Sequence, residues 1–170
     1  MSLNSLQAFG LREIKITDDS GAGAIALPVA SQLHIEEDIV TEEFYGEGLL
    51  KAQVAIPMTL MWTIQSGSLP LEALALMTGR SASYSGTTPN QILSLSGGLG
   101  DTFPYFRIYG KIVGDLGDDV HVKIYHAKVT SLQGTYRDSQ FFILQCRGVA
   151  IGDSSHGFYE LVQHETTVSL

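Results

Sequence analysis

Cysteine is almost missing from this chain: Cys146 is its one thiol. No disulfide can form within it, and it has no cysteine-rich zinc site. Basic residues are scarce as well. Ten Lys and Arg stand against eighteen Asp and Glu, giving a formal net charge of −8 over 170 residues. A chain with that balance does not grip nucleic-acid phosphates by bulk electrostatics, and no patch interleaves Lys or Arg densely with aromatics. No apolar run approaches a membrane span. The first ten residues lack the basic and apolar regions of a signal peptide, so the expectation is a soluble protein made in a cytoplasm. Charged residues are 16% of the chain and hydrophobic ones 44%, a globular and not a disordered composition. The length suits one domain with a real core. So little charge fits either an ordinary monomer or a surface covered by other subunits.

Catalytic and cofactor motifs are lacking too. There is no G-x-S-x-G elbow. Gly21-Ala-Gly-Ala-Ile-Ala26 has the outline of a dinucleotide fingerprint, but Pro28 follows at once and no helical period opens there, so it reads as a glycine turn between strands. His121 and His126 have opposite parity on one strand and should not share a metal. Asp115, Asp118 and Asp119 lack the spacing of a calcium loop and read as turn residues. Asp153, Ser154, Ser155 and His156 hold the residue types of a hydrolase triad. Neighbours in sequence rarely aim at one another, so a surface turn is the default. Cys146 alternates with Phe142 and Leu144 and reads as a buried thiol. No catalytic residue, cofactor or metal site is expected.

What the chain does have is one long alternating stretch running into a helix, residues 50–79. Leu50, Ala52, Val54, Ile56, Met58, Leu60, Trp62 and Ile64 are apolar, and most of the intervening positions are polar or small. Period-two alternation predicts a strand with one buried face. Pro57 marks an edge, bend or bulge within it. Ser66 and Gly67 break the strand. Leu71, Leu74, Ala75 and Thr78 then fall on one stripe of a helix. Pro70 suits its first position, with Leu69 before it at the boundary and Ser68 as the alternative cap. Gly79 suits its C-terminal left-handed residue. A helix of roughly ten residues is marginal alone, so Leu71, Leu74 and Ala75 are expected on the even face of the strand, over Leu60 and Trp62.

Elsewhere the pattern is of strands. Alternation over 11–17, 24–27, 31–36, 91–95, 103–113, 119–131 and 139–151 predicts strands, the last two joined around Gly134. Residues 1–10 read as an N-terminal arm and 158–170 as a C-terminal strand or arm. Between 36 and 48, Glu36, Glu37, Asp38, Glu42, Glu43 and Glu47 crowd around Ile39, Val40, Phe44 and Tyr45, either a projecting hairpin arm or a solvated acidic loop. About eight strands and one helix predict a mainly β fold, a sandwich or barrel with one flanking α-helix, as a single domain over 1–170.

Three segments carry a family resemblance. They are the helix Leu-Pro-Leu-Glu-Ala-Leu-Ala-Leu-Met-Thr-Gly (69–79) after an alternating strand, the strand pair 119–131 and 141–153, and the closing Gly-Phe-Tyr-Glu-Leu-Val (157–162). In this order the chain resembles the tail tube (major tail) proteins of bacteriophages, of the long non-contractile type. Contractile tail tubes and the type VI secretion tube share that fold. The resemblance implies a virion protein assembled in the host bacterial cytoplasm. Its hexameric rings stack into a hollow tube, with strands of neighbouring subunits joined in one barrel. It implies itself, tape measure, tail tip and tail terminator proteins as partners, with DNA passing through at ejection without specific binding. It implies no membrane and no catalysis.

The charge fits that expectation, because an acidic or neutral bore lets DNA slide where a basic one would hold it. Glu36, Glu37, Asp38, Glu42 and Glu43 are the candidates for lining or rimming the bore, and Gln53, Thr59 and Thr63 for its uncharged wall. The bland alternative puts the acids outside, where they keep tubes soluble. Two rival classes are a small-ligand-binding β-barrel of lipocalin-like type and an enzyme using the 153–156 loop.

Overall fold

A computed structural model describes residues 8–68, 70–114, 117–135, 138, 143–152 and 154–170. The elements run β1 (Ala8–Asp18), β2 (Ile25–Ala26), β3 (Ala30–Gly46), β4 (Leu49–Ser66), α1 (Leu71–Thr78), β5 (Ala82–Ser85), β6 (Ile92–Leu95), β7 (Phe106–Gly114), β8 (Asp119–Thr135), β9 (Ile143–Ala150) and β10 (Tyr159–His164). An antiparallel sheet has the order β2-β1-β7-β8-β9-β4-β3, with β10 also on β8; β5 and β6 form a separate hairpin. The fold is mainly β, as the alternation predicts. The expected arm over 1–10 is corrected at its end, since Ala8–Gly10 already belong to β1; residues 1–7 lie outside the described residues. Gly134 is not the turn between β8 and β9, because it pairs with Leu144 inside the ladder.

The sheet stays open but curls about its inner face. β8 shares one edge between two partners, β9 along 127–135 and β10 along 119–124. His126, at φ 44, lies between the two stretches. Far along the sheet, β3 swings back towards β1. Leu33 of β3 seats against Gly110 of β7, where a Cβ would stand 2.8 Å from the Leu33 Cδ2. The core within the curl joins Ile14, Ile16, Leu60, Trp62, Phe106, Ile108 and Ile124. Trp62 meets Phe106 edge to face, with ring centroids 5.6 Å apart.

The strand β4 departs from the single buried face expected of it. Asp38 pairs with Thr59 but Ile39 pairs with Pro57, so Met58 is the extra residue of a bulge. Leu60, Trp62 and Ile64 are buried, whereas Leu50, Val54, Ile56 and Met58 are about half exposed. The reason lies in the neighbours: β9 covers β4 only along 60–66.

The helix is also corrected. Pro70 has φ −57 and ψ 135 and caps the helix from outside it, with no side-chain capping bond; Gly79 closes the helix at φ 69, as expected. The Leu69 boundary lies outside the described residues. The buried face is Ala73, Met77 and Thr78, with Leu74 and Ala75 partly buried and Leu71 37% exposed. The helix backbone runs beside β1, β2, β8 and the β5–β6 hairpin, not along β4. Its side chains reach the shared core that contains Leu60 and Trp62. Met77→Ala is therefore expected to cost about 2–3 kcal/mol, since a pliable thioether leaves a cavity that partly collapses. Leu71→Asp should stay within about 0.5 kcal/mol of the parent. Chemical denaturation of both variants checks the assignment.

Candidate assembly surface

The β3–β4 hairpin is far longer than the sheet that supports it. Its strands pair from Ala30↔Ser66 out to Gly46↔Leu49. Its turn, Glu47-Gly48, has φ 56 and 76, the left-handed pair of a two-residue hairpin loop whose twist matches the strands. Beyond Leu60 no other described strand pairs with either arm. Cross-strand partners share a face, so the register sorts the arm's side chains. One face carries Asp38/Thr59, Val40/Ile56, Glu42/Val54 and Phe44/Ala52; the other carries Ile39/Pro57, Thr41/Ala55, Glu43/Gln53 and Tyr45/Leu50. Both carry uncovered apolar side chains between the acids and other polar residues. Phe44 is 67% exposed, Leu49 63% and Val54 55%, with Ile39, Val40, Tyr45, Leu50 and Ile56 similar.

The candidate residues named from sequence therefore divide. Glu36, Asp38, Glu42, Thr59 and Thr63 lie on the face away from the core, together with Arg147 of β9, which pairs with Thr63. Glu37, Glu43 and Gln53 lie on the opposite face. There Glu43 accepts hydrogen bonds from the Tyr45 hydroxyl and, at 3.3 Å, from Gln53. The Glu43 carboxylate raises the Tyr45 phenol above its usual range. Glu37 faces inward and accepts a bond from the Tyr159 hydroxyl of β10, raising that phenol too and tying β10 to β3. Of the predicted core set, Leu60 and Trp62 are buried, Leu74 and Ala75 partly so, and Leu71 is exposed.

Inside the mouth of the curl lies an apolar groove of about 470 Å³, walled by Leu11, Leu33, Ile35, Ile112, Val122 and Leu161 among others. It lacks the convergent polar groups that fix a small molecule's orientation. The 154–156 turn is exposed, and His156 stacks on Tyr125 with ring centroids 4.5 Å apart; Asp153 lies outside the described residues. Cys146 is buried in the core, and burial pushes its thiol up to about 12. Among the described residues no helix is long and apolar enough to cross a membrane.

A second polar centre was missed in the sequence. After β10 the chain lies over the outer face of β1, β7 and β8. Thr167 Oγ1 donates to the Gly117 carbonyl at 2.8 Å, Val168 N–H to Asp119 Oδ2 at 2.7 Å, and Lys15 Nζ to the Leu170 main-chain oxygen at 3.1 Å. Lys111 Nζ donates to the Val168 carbonyl and lies 3.1 Å from Asp119 Oδ2. Asp119 is no turn residue: it is fully buried at the start of β8. Asp118 does sit in the turn before it, its carbonyl accepting from Gly114 N–H at 2.8 Å; Asp115 lies outside the described residues. Burial works against the Asp119 charge, but the Val168 N–H, Lys111 and His121 outweigh it and hold its carboxyl below the usual range. Asp119, His121 and His164 offer donor atoms within 4.8 Å of one another. The signal available in the sequence was a pair at i, i+2 on one strand. Its third member, on β10, is distant in the chain.

No family model matches the chain, and no curated protein matches it. Solved structures similar to it include a chain of the anti-feeding prophage baseplate, 11% identical with a TM-score of 0.49, over 96% of this chain and 97% of that one. A chain of the anti-feeding prophage tube-terminating cap is 14% identical, with a TM-score of 0.48 over the same shares. A chain of the sheath–tube complex of an extracellular contractile injection system is 14% identical, with a TM-score of 0.43 over 90% of this chain and 88% of that one.

Proposed function

We propose that this chain is a structural subunit of a tail-type tube, building stacked and hexameric rings. The reading covers tubes with and without a contractile sheath. The observation that carries it is the uncovered β3–β4 hairpin. An isolated two-stranded ribbon is marginal in water, and this one exposes apolar side chains on both faces. A partner that covers it supplies the missing burial. The arm projects from one edge of the sheet, so a copy that receives it presents a different surface. Such a heterologous contact propagates into a ring if the rotation closes and into a filament if it does not. The acids along β3 act as guards, since charge on a long edge strand resists unprogrammed pairing. Assembly then waits for an initiating complex.

In this reading the outward face of β3, β4 and β9 lines the bore, bringing Glu36, Asp38, Thr59 and Thr63 to the DNA path, with Glu42 at the rim. Glu43 and Gln53, on the other face of the arm, lie in subunit contacts instead, while Glu37 stays engaged with Tyr159 of its own chain. DNA passes without specific binding. Tape measure, tail tip and terminator proteins are the partners, and the virion or tail particle is the place of action. The rival ligand-binding barrel has the apolar groove in its favour, but it leaves the hairpin unexplained.

Ile39→Asp combined with Leu50→Asp, on the arm face assigned to subunit contacts, tests the reading. Both side chains are already exposed, so the folded subunit should keep its melting temperature. Sedimentation velocity is expected to show loss of rings and tubes. A variant that assembles like the parent would remove the hairpin from the interface.

A further inference from the structure

We propose that Asp119, His121 and His164 form a binding site for a divalent transition-metal ion of the zinc or cobalt kind, and that the ion fastens β10 to β8. The strands place the donors. Asp119 and His121 are two apart on β8 and point to one face, and His164 is the direct cross-strand partner of Asp119. The two imidazoles lie with ring centroids 4.6 Å apart. One donor atom from each residue falls in a cluster within 4.8 Å.

Two features favour an occupant at the cluster. Asp119 is 0% exposed and His121 5%. Yet Asp119 Oδ1 and His121 Nε2 have no hydrogen-bond partner among the described residues. Buried polar atoms left so are costly and uncommon. His121 Nε2 lies 3.4 Å from Asp119 Oδ2, an ion-pair distance, but Oδ2 already serves Lys111 and the Val168 N–H. A cation between Oδ1 and the imidazole nitrogens satisfies both orphans at once.

The donor set selects the metal class. Two neutral imidazoles and one carboxylate suit zinc and its neighbours in the first transition row, and do not suit calcium or magnesium, which want an all-oxygen shell. Lys111 sets the affinity. Its ammonium adds positive charge beside a dication that one carboxylate only half neutralises, which weakens binding. Because His164 ends β10, the ion also anchors the segment after it, which already bonds to Gly117, Asp119 and Lys15.

The test uses the untagged full chain with zinc chloride and, separately, cobalt chloride. Calorimetry is expected to give one site per chain, and cobalt an absorption band in the visible region. His164→Ala, at a partly buried strand end, should weaken binding about tenfold or more and abolish the band. His34→Ala with His156→Ala, which removes exposed histidines elsewhere, should leave both unchanged. Hydrogen exchange across 159–170 should slow when the metal is added. No saturable binding and no cobalt band in the parent chain overturns the proposal. So does binding that survives His164→Ala, or that is lost with His34 and His156.

Discussion

Trp62→Ala is expected to destabilise the chain by about 3–5 kcal/mol, a large share of the roughly 5–15 kcal/mol that holds a typical domain together. Trp62 is 1% exposed at the point where β4 enters the sheet. Its indole lies over Gly148 of β9, its direct cross-strand partner. A Cβ at Gly148 would stand 2.4 Å from the Trp62 Cζ2 and 2.0 Å from the Lys128 carbonyl oxygen of β8. Gly148→Ala should therefore cost about 3 kcal/mol by itself, at the upper end of overpacking penalties, since one of the clashing atoms is backbone. The two changes should not add. Removing the indole relieves one clash and leaves the other, so the double variant should be less destabilised than the sum. Trp62→Phe should be milder than Trp62→Ala, because Trp62 Nε1 has no hydrogen-bond partner among the described residues and phenylalanine removes that orphan. Urea denaturation of the four variants checks the ordering. Full additivity would show that the indole and Gly148 do not lock the strands.

Asp119→Asn should have an effect of similar size, about 3–5 kcal/mol, by leaving the buried Lys111 ammonium without its counter-charge. Lys111→Met added to Asp119→Asn should recover much of the loss, since it removes the buried ammonium that Asp119→Asn leaves unpaired. The pH dependence follows from the lowered Asp119 carboxyl. A group depressed on folding stabilises fully above its unfolded value, about 3.9, and that contribution disappears as pH falls through the lower folded value. The parent should lose stability below about pH 4, with hydrogen exchange quickening first over 165–170, and Asp119→Asn should lack that part of the acid response. Equal acid sensitivity in both chains would remove Asp119 from the account.

Much of this was legible in the residues. The β4 alternation, the Ser66-Gly67 break and the Gly79 cap are local signals, and they placed the longest strand and the helix. Pro57 warned of a bulge but not of its consequence. The extra residue, Met58, shifts the alternating set from one face to the other, and only the pairing register shows that. The helix stripe was misjudged because six of the eight residues of α1 are apolar, so its period does not single out a face. The tertiary setting chose Ala73 and Met77. The acidic segment declared itself an arm or a loop, and its pairing with 50–57 depended on a partner strand that local composition does not name. Asp119, His121 and His164 stayed hidden because a site assembled across β8 and β10 leaves no spacing to read.

The central claim is that the hairpin's apolar faces belong against other copies of this chain. Negative-stain electron microscopy of the purified protein at high concentration, alone and seeded with tail-tip complexes, tests it most directly. The account predicts six-fold rings or hollow tubes, absent from Ile39→Asp/Leu50→Asp. A protein that stays monomeric with and without seeds, the hairpin intact, would contradict it.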